Sequence, residues 1–193
     1  MADAAAPSDA PPEVVRYARD RARLCGMVEA YHDFAWRTLR RLGVAGADTD
    51  DATQQVFMVI YQKLDRIDPA KERSFVYGVT VRVARAHRRR GRRHREVPLD
   101  DVEAVEGGQA TPAAEAEARE GLRRLDTLLA QVSFPLRVVF VLHEIEGMTL
   151  TEIAAALDIP RGTAASRLRR GRRQLREAAQ SSGRDEEGWN ESR

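Results

Sequence analysis

The sequence predicts an all-α protein of two small helical domains joined by a flexible acidic linker. Three observations lead there. Apolar residues recur at three- and four-residue steps through most of the chain, a helix, tight turn, helix pattern lies near the C-terminus, and an acid-rich stretch with glycine and proline separates the two helical parts. A chain of 193 residues suffices for two such domains. With charged residues at 32% and aromatics at 6%, the composition suits a binder of other macromolecules better than an enzyme built around a deep apolar pocket.

In chain order, residues 1–12 are Ala/Pro-rich, without a basic start or an apolar core, and are expected to be disordered rather than a secretory signal. From about Glu13 to Gly43, Leu24, Val28, Tyr31, Ala35, Leu39 and Leu42 fall on one helical face, and Gly43 is a stop. A second helix is expected from about Asp50 to Leu64, with Val56, Phe57, Ile60 and Leu64 inward and the acids near its start matched to the helix dipole. Asp65 to Arg73 reads as a loop, because Asp68-Pro69 disfavours helix. Val76, Val79, Val83 and Ala86 mark a third helix that runs into a basic segment and completes a first domain over 13–95. Residues 96–120 carry eight acids against one base, Arg119, and form the linker, extended first and helical towards its end. A second domain over 121–179 follows, and the polar tail 180–193 is expected to be disordered.

Charge is segregated rather than large, since the net value of +2 hides two basic runs. From Arg85 to Arg95 there are seven arginines, two histidines and no acid; from Arg161 to Arg176 there are seven arginines and no acid. Such density repels itself unless phosphates neutralise it. Cys25 is the single cysteine, which excludes an intramolecular disulfide and suits a reducing cytoplasm. No apolar run approaches membrane-spanning length, so a cytoplasmic chain without membrane insertion is expected. His87 and His94 lack carboxylate or cysteine companions at ligand spacing, so no metal and no cofactor are expected.

Within the second domain, Pro135 opens a helix bearing Leu136, Val139, Phe140 and Leu142, which Gly147 stops. Thr149-Leu-Thr-Glu152 is a capping-box pattern that starts a short helix with Ile153, Ala154 and Leu157 inward. Asp158-Ile159-Pro160 breaks it, and Thr163, Ala164 and Leu168 continue on the same apolar side. This is a helix-turn-helix whose last helix is the arginine-rich one, an arrangement for DNA binding.

Leu142 through Leu175 resembles region 4 of the extracytoplasmic-function sigma factors, the small promoter-recognition subunits of bacterial RNA polymerase in the sigma-70 family. The resemblance implies that this domain reads the −35 promoter element in the major groove. It puts Ala165, Ser166, Arg169 and Arg170 nearest the bases and Arg161, Arg167 and Arg173 on phosphates, with Thr163 also among the −35 contacts. Asp158 stands where the family has glycine, and Ala164 and Ala165 stand where it often has a larger apolar residue and a polar one.

In the first domain, Asp50-Asp51-Ala-Thr-Gln54-Gln55 resembles the family's region 2.2. The likeness implies docking of Asp50, Asp51, Gln54 and Gln55 on the beta-prime clamp helices of the polymerase, with the beta flap a second polymerase contact of the factor. Gln55 replaces the family's Glu and Ala52 its Leu. Asp65 to Phe75 is similar to the loop that holds a flipped −10 base, and Ser74 to Arg90 to regions 2.3 and 2.4. The implied −10 contacts are Lys71, Ser74, Phe75, Tyr77, Arg82, Arg85, Arg88 and Arg89. Phe75 occupies the family's Trp position, and core packing is the simpler role for its ring. The expected function is therefore a non-enzymatic sigma factor that binds core RNA polymerase and promoter DNA and is restrained by an anti-sigma factor. One rival is a self-sufficient helix-turn-helix regulator. The other is a nucleic-acid enzyme using Asp48, Asp50, Asp51, Asp65 and Asp68, against which stands the absence of an accompanying base or phosphate cradle.

Overall fold

Seven α-helices carry the chain in the computed structural model, which describes residues 11–93 and 112–190. α1 spans Pro12–Arg41, α2 Gly46–Gln62, α3 Glu72–Arg93, α4 Pro112–Gln131, α5 Phe134–Phe140, α6 Leu150–Leu157 and α7 Arg161–Asn190. No strand occurs among the described residues. Most of the linker, His94 and Arg95, residues 1–10 and the last three residues lie outside the described part.

α1, α2 and α3 form the first half. Met27, Phe34, Ala35 and Leu39 of α1, with Leu42 just after it, meet Ala52, Val56 and Ile60 of α2 and Val76, Val79, Val83 and Ala84 of α3, all buried. Buried Thr53 and Thr80 satisfy their hydroxyls on carbonyls one turn back, Thr49 O and Val76 O, both at 2.9 Å, so they cost the core little. Gly43 ends α1 with φ +86°. Its amide and that of Val44 bond back to Arg40 O and Leu39 O, the paired bonds of a Schellman stop.

α2 starts at Gly46, earlier than the acids suggested, because Thr49 turns its hydroxyl back to Ala45 O at 2.8 Å instead of capping a later start. The stretch expected as a loop contains two 3₁₀ turns, Leu64–Arg66 and Pro69–Lys71, the second capped by the Asp68 carboxylate on Ala70 N–H. Arg23 of α1 anchors this stretch, donating to Leu64 O and Ile67 O at 3.2 and 2.8 Å.

α4 to α7 form the second half around Leu129, Leu136, Val139, Leu142, Met148, Ile153, Ala164 and Leu168. α4 begins inside the acid-rich stretch assigned to the linker, and α7 continues through Asn190 into the stretch expected to be disordered. A π-helical turn, Val141–Ile145, extends α5. Gly171 lets α7 cross α5 closely: a Cβ there would lie 3.2 Å from Leu136 O. The buried apolar residues of both halves join into one cluster, so the two domains rest against each other.

Candidate nucleic-acid interface

The helix-turn-helix is built by local chemistry. Thr149 accepts from Glu152 N–H at 3.2 Å while the Glu152 carboxylate accepts from Thr149 N–H at 2.8 Å, a complete capping box. These bonds hold the Glu152 carboxyl below its ordinary pKa, with nearby Arg73 a smaller cause in the same direction. Asp158 takes a left-handed conformation, φ 52° and ψ 54°, and Ile159 N–H closes the turn on Ala154 O at 3.0 Å. Aspartate here does the glycine's job at a conformational cost.

α7 presents two faces. Ala164, Leu168, Gly171 and Ala178 are buried, while Arg161, Arg169, Arg170, Arg173 and Arg176 are exposed. Thr163, Ala165, Ser166 and Arg167 are half-buried, and the Ser166 hydroxyl donates to Thr163 O at 2.9 Å. Arg172 differs: it bonds Glu144 of the π turn at 2.8 Å and braces the domain.

On the first half, Asp50, Asp51 and Gln54 lie exposed on α2, with Asp50 accepting from Trp36 Nε1 at 2.9 Å. Gln55 turns towards α3, 2.9 Å from the His87 ring. Ala52 is fully buried, so the position is core rather than surface. Met58 and Tyr61, each 55% exposed, extend the Asp51–Gln54 stripe along the same helix. The sequence reading had passed over both; helical spacing from Asp51 was the signal available.

Among the residues compared with −10 readers, Lys71, Arg82, Arg85 and Arg89 are exposed and Ser74 is half-buried. Phe75 packs partly buried against the core, the simpler of its two roles. Tyr77 is buried, its ring 3.9 Å from that of Phe34, with its hydroxyl accepting from Arg73 Nε at 2.9 Å. Arg82 donates to Gly78 O, and Arg88 to Leu42 O at 3.0 Å, at the negative end of the α1 dipole. Asp48, Asp50, Asp51, Asp65 and Asp68 do not converge with His or Cys: no group of three or more potential metal ligands occurs among the described residues. No described helix is long and apolar enough to cross a membrane.

The sequence reading missed Arg137, a cation on α5 that is only 3% exposed. It donates to Val132 O at 3.2 Å, while its Nε has no partner among the described residues. Burial lowers its pKa to about 10, with Arg88 adding to the shift and Asp126 opposing it.

Family profiles described as "Sigma-70 region 2" and "Sigma-70, region 4" match residues 27–94 and 122–175. The chain is 30% identical over 154 residues to the ECF RNA polymerase sigma factor SigE of Mycolicibacterium smegmatis, covering 78% of this chain and 59% of that protein. It is 31% identical over 140 residues to the ECF RNA polymerase sigma-E factor of Escherichia coli K12, covering 67% and 72%. Its fold is similar to that of the sigma factor RpoE from Bartonella quintana, solved in complex with the anti-sigma factor NepR. There the TM-score is 0.61 at 17% identity, over 79% of this chain and 94% of that one.

Proposed function

The chain belongs to the extracytoplasmic-function group of the sigma-70 family of RNA polymerase sigma factors, and from that premise we propose how its surfaces divide the work. It binds core RNA polymerase and directs it to specific promoters, where DNA-templated transcription starts; it has no enzymatic activity of its own and works in the cytoplasm. Asp50, Asp51 and Gln54, joined by Met58 and Tyr61, dock on the beta-prime clamp helices, with Gln55 steadying α2 against His87. An apolar centre with a polar rim is what a stable docking patch requires.

Arg161, Arg167 and Arg173 hold the −35 backbone while Ala165, Ser166, Arg169 and Arg170 face base edges, with Thr163 beside them at the helix start. On the first half, Arg82, Arg85, Arg88 and Arg89 neutralise phosphates around −10. Lys71, Ser74 and the edge of Phe75 receive the flipped base, and Tyr77 supports them from the core. Melting costs a few kcal/mol per unstacked base, which such a pocket offsets. The acidic linker spans the interval, the second half also meets the beta flap, and an anti-sigma factor restrains the factor by covering its polymerase-binding faces.

The observation that carries this reading is the exposed row of Arg161, Arg169, Arg170 and Arg173 on a capped helix-turn-helix, separate from the polar stripe on α2. Co-elution of the purified chain with core polymerase on a sizing column tests it. Stable co-elution that is lost in the Asp51→Arg, Gln54→Arg variant is expected. Failure of the wild-type chain to bind core, with tight duplex binding alone, would favour a free-standing regulator.

A further inference from the structure

The connection between α2 and α3 has a joint in its middle, and one guanidinium spans it. The 3₁₀ turns Leu64–Arg66 and Pro69–Lys71 are separated by Ile67 and Asp68, both extended, with ψ of 113° and 122°. Leu64 and Ile67 bury their side chains and hold the near side, whereas Asp68 to Lys71 on the far side are exposed. An exposed connection of this kind moves more than the helices it joins unless something ties it down.

Arg23 of α1 supplies the tie. Nη1 donates to Leu64 O before the joint, Nη2 donates to Ile67 O at it, and Nη2 also lies 3.4 Å from the Glu72 carboxylate at the head of α3. The Arg23 and Glu72 side chains are only 28% and 23% exposed, so water and salt screen the pair less than one on the open surface. A planar guanidinium presents its donors in fixed directions, so three acceptors on one group are fixed relative to each other, which the point charge of a lysine does not achieve. Arg16, two turns earlier, pairs with Asp65, but more than half of each side chain is exposed, so that contact is secondary. Arg23 itself lies before residues 27–94, the stretch that the region 2 profile matches.

We infer that Arg23 is a positioning residue for promoter recognition: it sets the angle at which the turn Pro69–Lys71 and the head of α3 present Lys71, Ser74 and the edge of Phe75 to the flipped −10 base. The inference rests on the proposed −10 role of those three residues. Arg23 meets no base and acts through the turn. Telling one base from another takes polar groups held within about 0.5 Å of their places, so a turn that swings loses discrimination first. Affinity is kept, because phosphate contacts carry it and the arginines of α3 stand on a helix packed against α1 and α2.

The test assembles holoenzyme from core polymerase and the full chain, wild type or variant. It transcribes a library with a fixed −35 element and a randomised −10 element, and the transcripts are sequenced. Lys71→Ala with Ser74→Ala marks the captured position as the one whose preference it flattens. There the wild type should favour one base about tenfold, the usual order of a single mismatch, and Arg23→Leu less than about threefold. Preferences at other −10 positions and co-elution with core should not change. Arg23→Lys, which keeps the charge but reaches fewer acceptors, should recover part of the preference. Arg21→Ala, which removes an exposed arginine from the same stretch of α1, should change nothing. Amide hydrogen exchange of Arg23→Leu should speed up over residues 66–71 and stay as in the wild type across α2 and α3.

An undiminished preference in Arg23→Leu would overturn the positioning role, as would a loss spread evenly over all −10 positions. If Arg23→Leu fails to assemble with core, Arg23→Lys decides, and a wild-type preference in it overturns the role. If Lys71→Ala with Ser74→Ala alters no preference, the −10 assignment itself fails, and the role of Arg23 falls with it.

Discussion

Thr149→Ala removes one side chain from the start of α6, and its cost follows from the bonds described. The Thr149 hydroxyl accepts from Glu152 N–H and donates to its carboxylate at 2.8 Å. Losing it frees a backbone donor at the first turn and unties the carboxylate that caps the Thr149 amide. Such caps contribute about 1 kcal/mol, within a range of about 0.5–2. α6 runs only from Leu150 to Leu157, far below the length at which an isolated helix holds itself, so the loss falls on the whole helix-turn-helix. Urea denaturation followed by far-ultraviolet circular dichroism should show a midpoint lowered at unchanged slope, and thermal melting a Tm lower by roughly 2–4 °C. Thr149→Ser, which keeps the acceptor, should restore most of the loss. A Thr149→Ala chain that melts with the wild type, or a serine variant as weak as the alanine one, would refute the reasoning.

Further outcomes follow from the same geometry. Asp158→Val, at the left-handed turn, should destabilise by about 1–2 kcal/mol in denaturant titration, whereas Asp158→Gly should be neutral or stabilising. Because the Glu152 carboxyl is held below its ordinary pKa, its share of stability is full above the unfolded value and is lost as pH falls through the lowered one. Melting of the wild type should therefore weaken on acidification more than that of Glu152→Gln. In a complex with polymerase and promoter, replacing Arg170 by Ala should weaken binding. Loss confined to particular −35 sequences would mark a base contact, and a uniform loss with the salt slope reduced by about 1 a phosphate contact.

The sequence made legible whatever is local. The capping box at Thr149, the stop at Gly43 and the turn at Asp158 each depend on residues within a few positions, and all three form. The arginine face of α7 was equally readable, since an unbroken run of one charge on a helical period needs no tertiary knowledge. What escaped were features set by distant pairing. Gly78 and Val81 carry no sign of a second buried face until α6 lies against them, and Arg137 looks like a surface cation until α1 ends beside it. The resemblance placed Tyr77 among the −10 contacts, but the ring of Phe34, far back in the chain, buries it. Met58 and Tyr61 were passed over, and the register fixed by Val56 and Ile60 turns both outward.

The central claim is that this chain confers promoter choice on a polymerase that lacks it. In-vitro transcription with purified core enzyme over fragmented genomic DNA of the source organism, with and without the chain, measures that directly. The account predicts new transcripts that start a fixed distance downstream of a shared two-part motif and vanish when Arg169 and Arg170 are replaced by alanine. The absence of chain-dependent transcripts, alongside tight duplex binding by the chain alone, would contradict it.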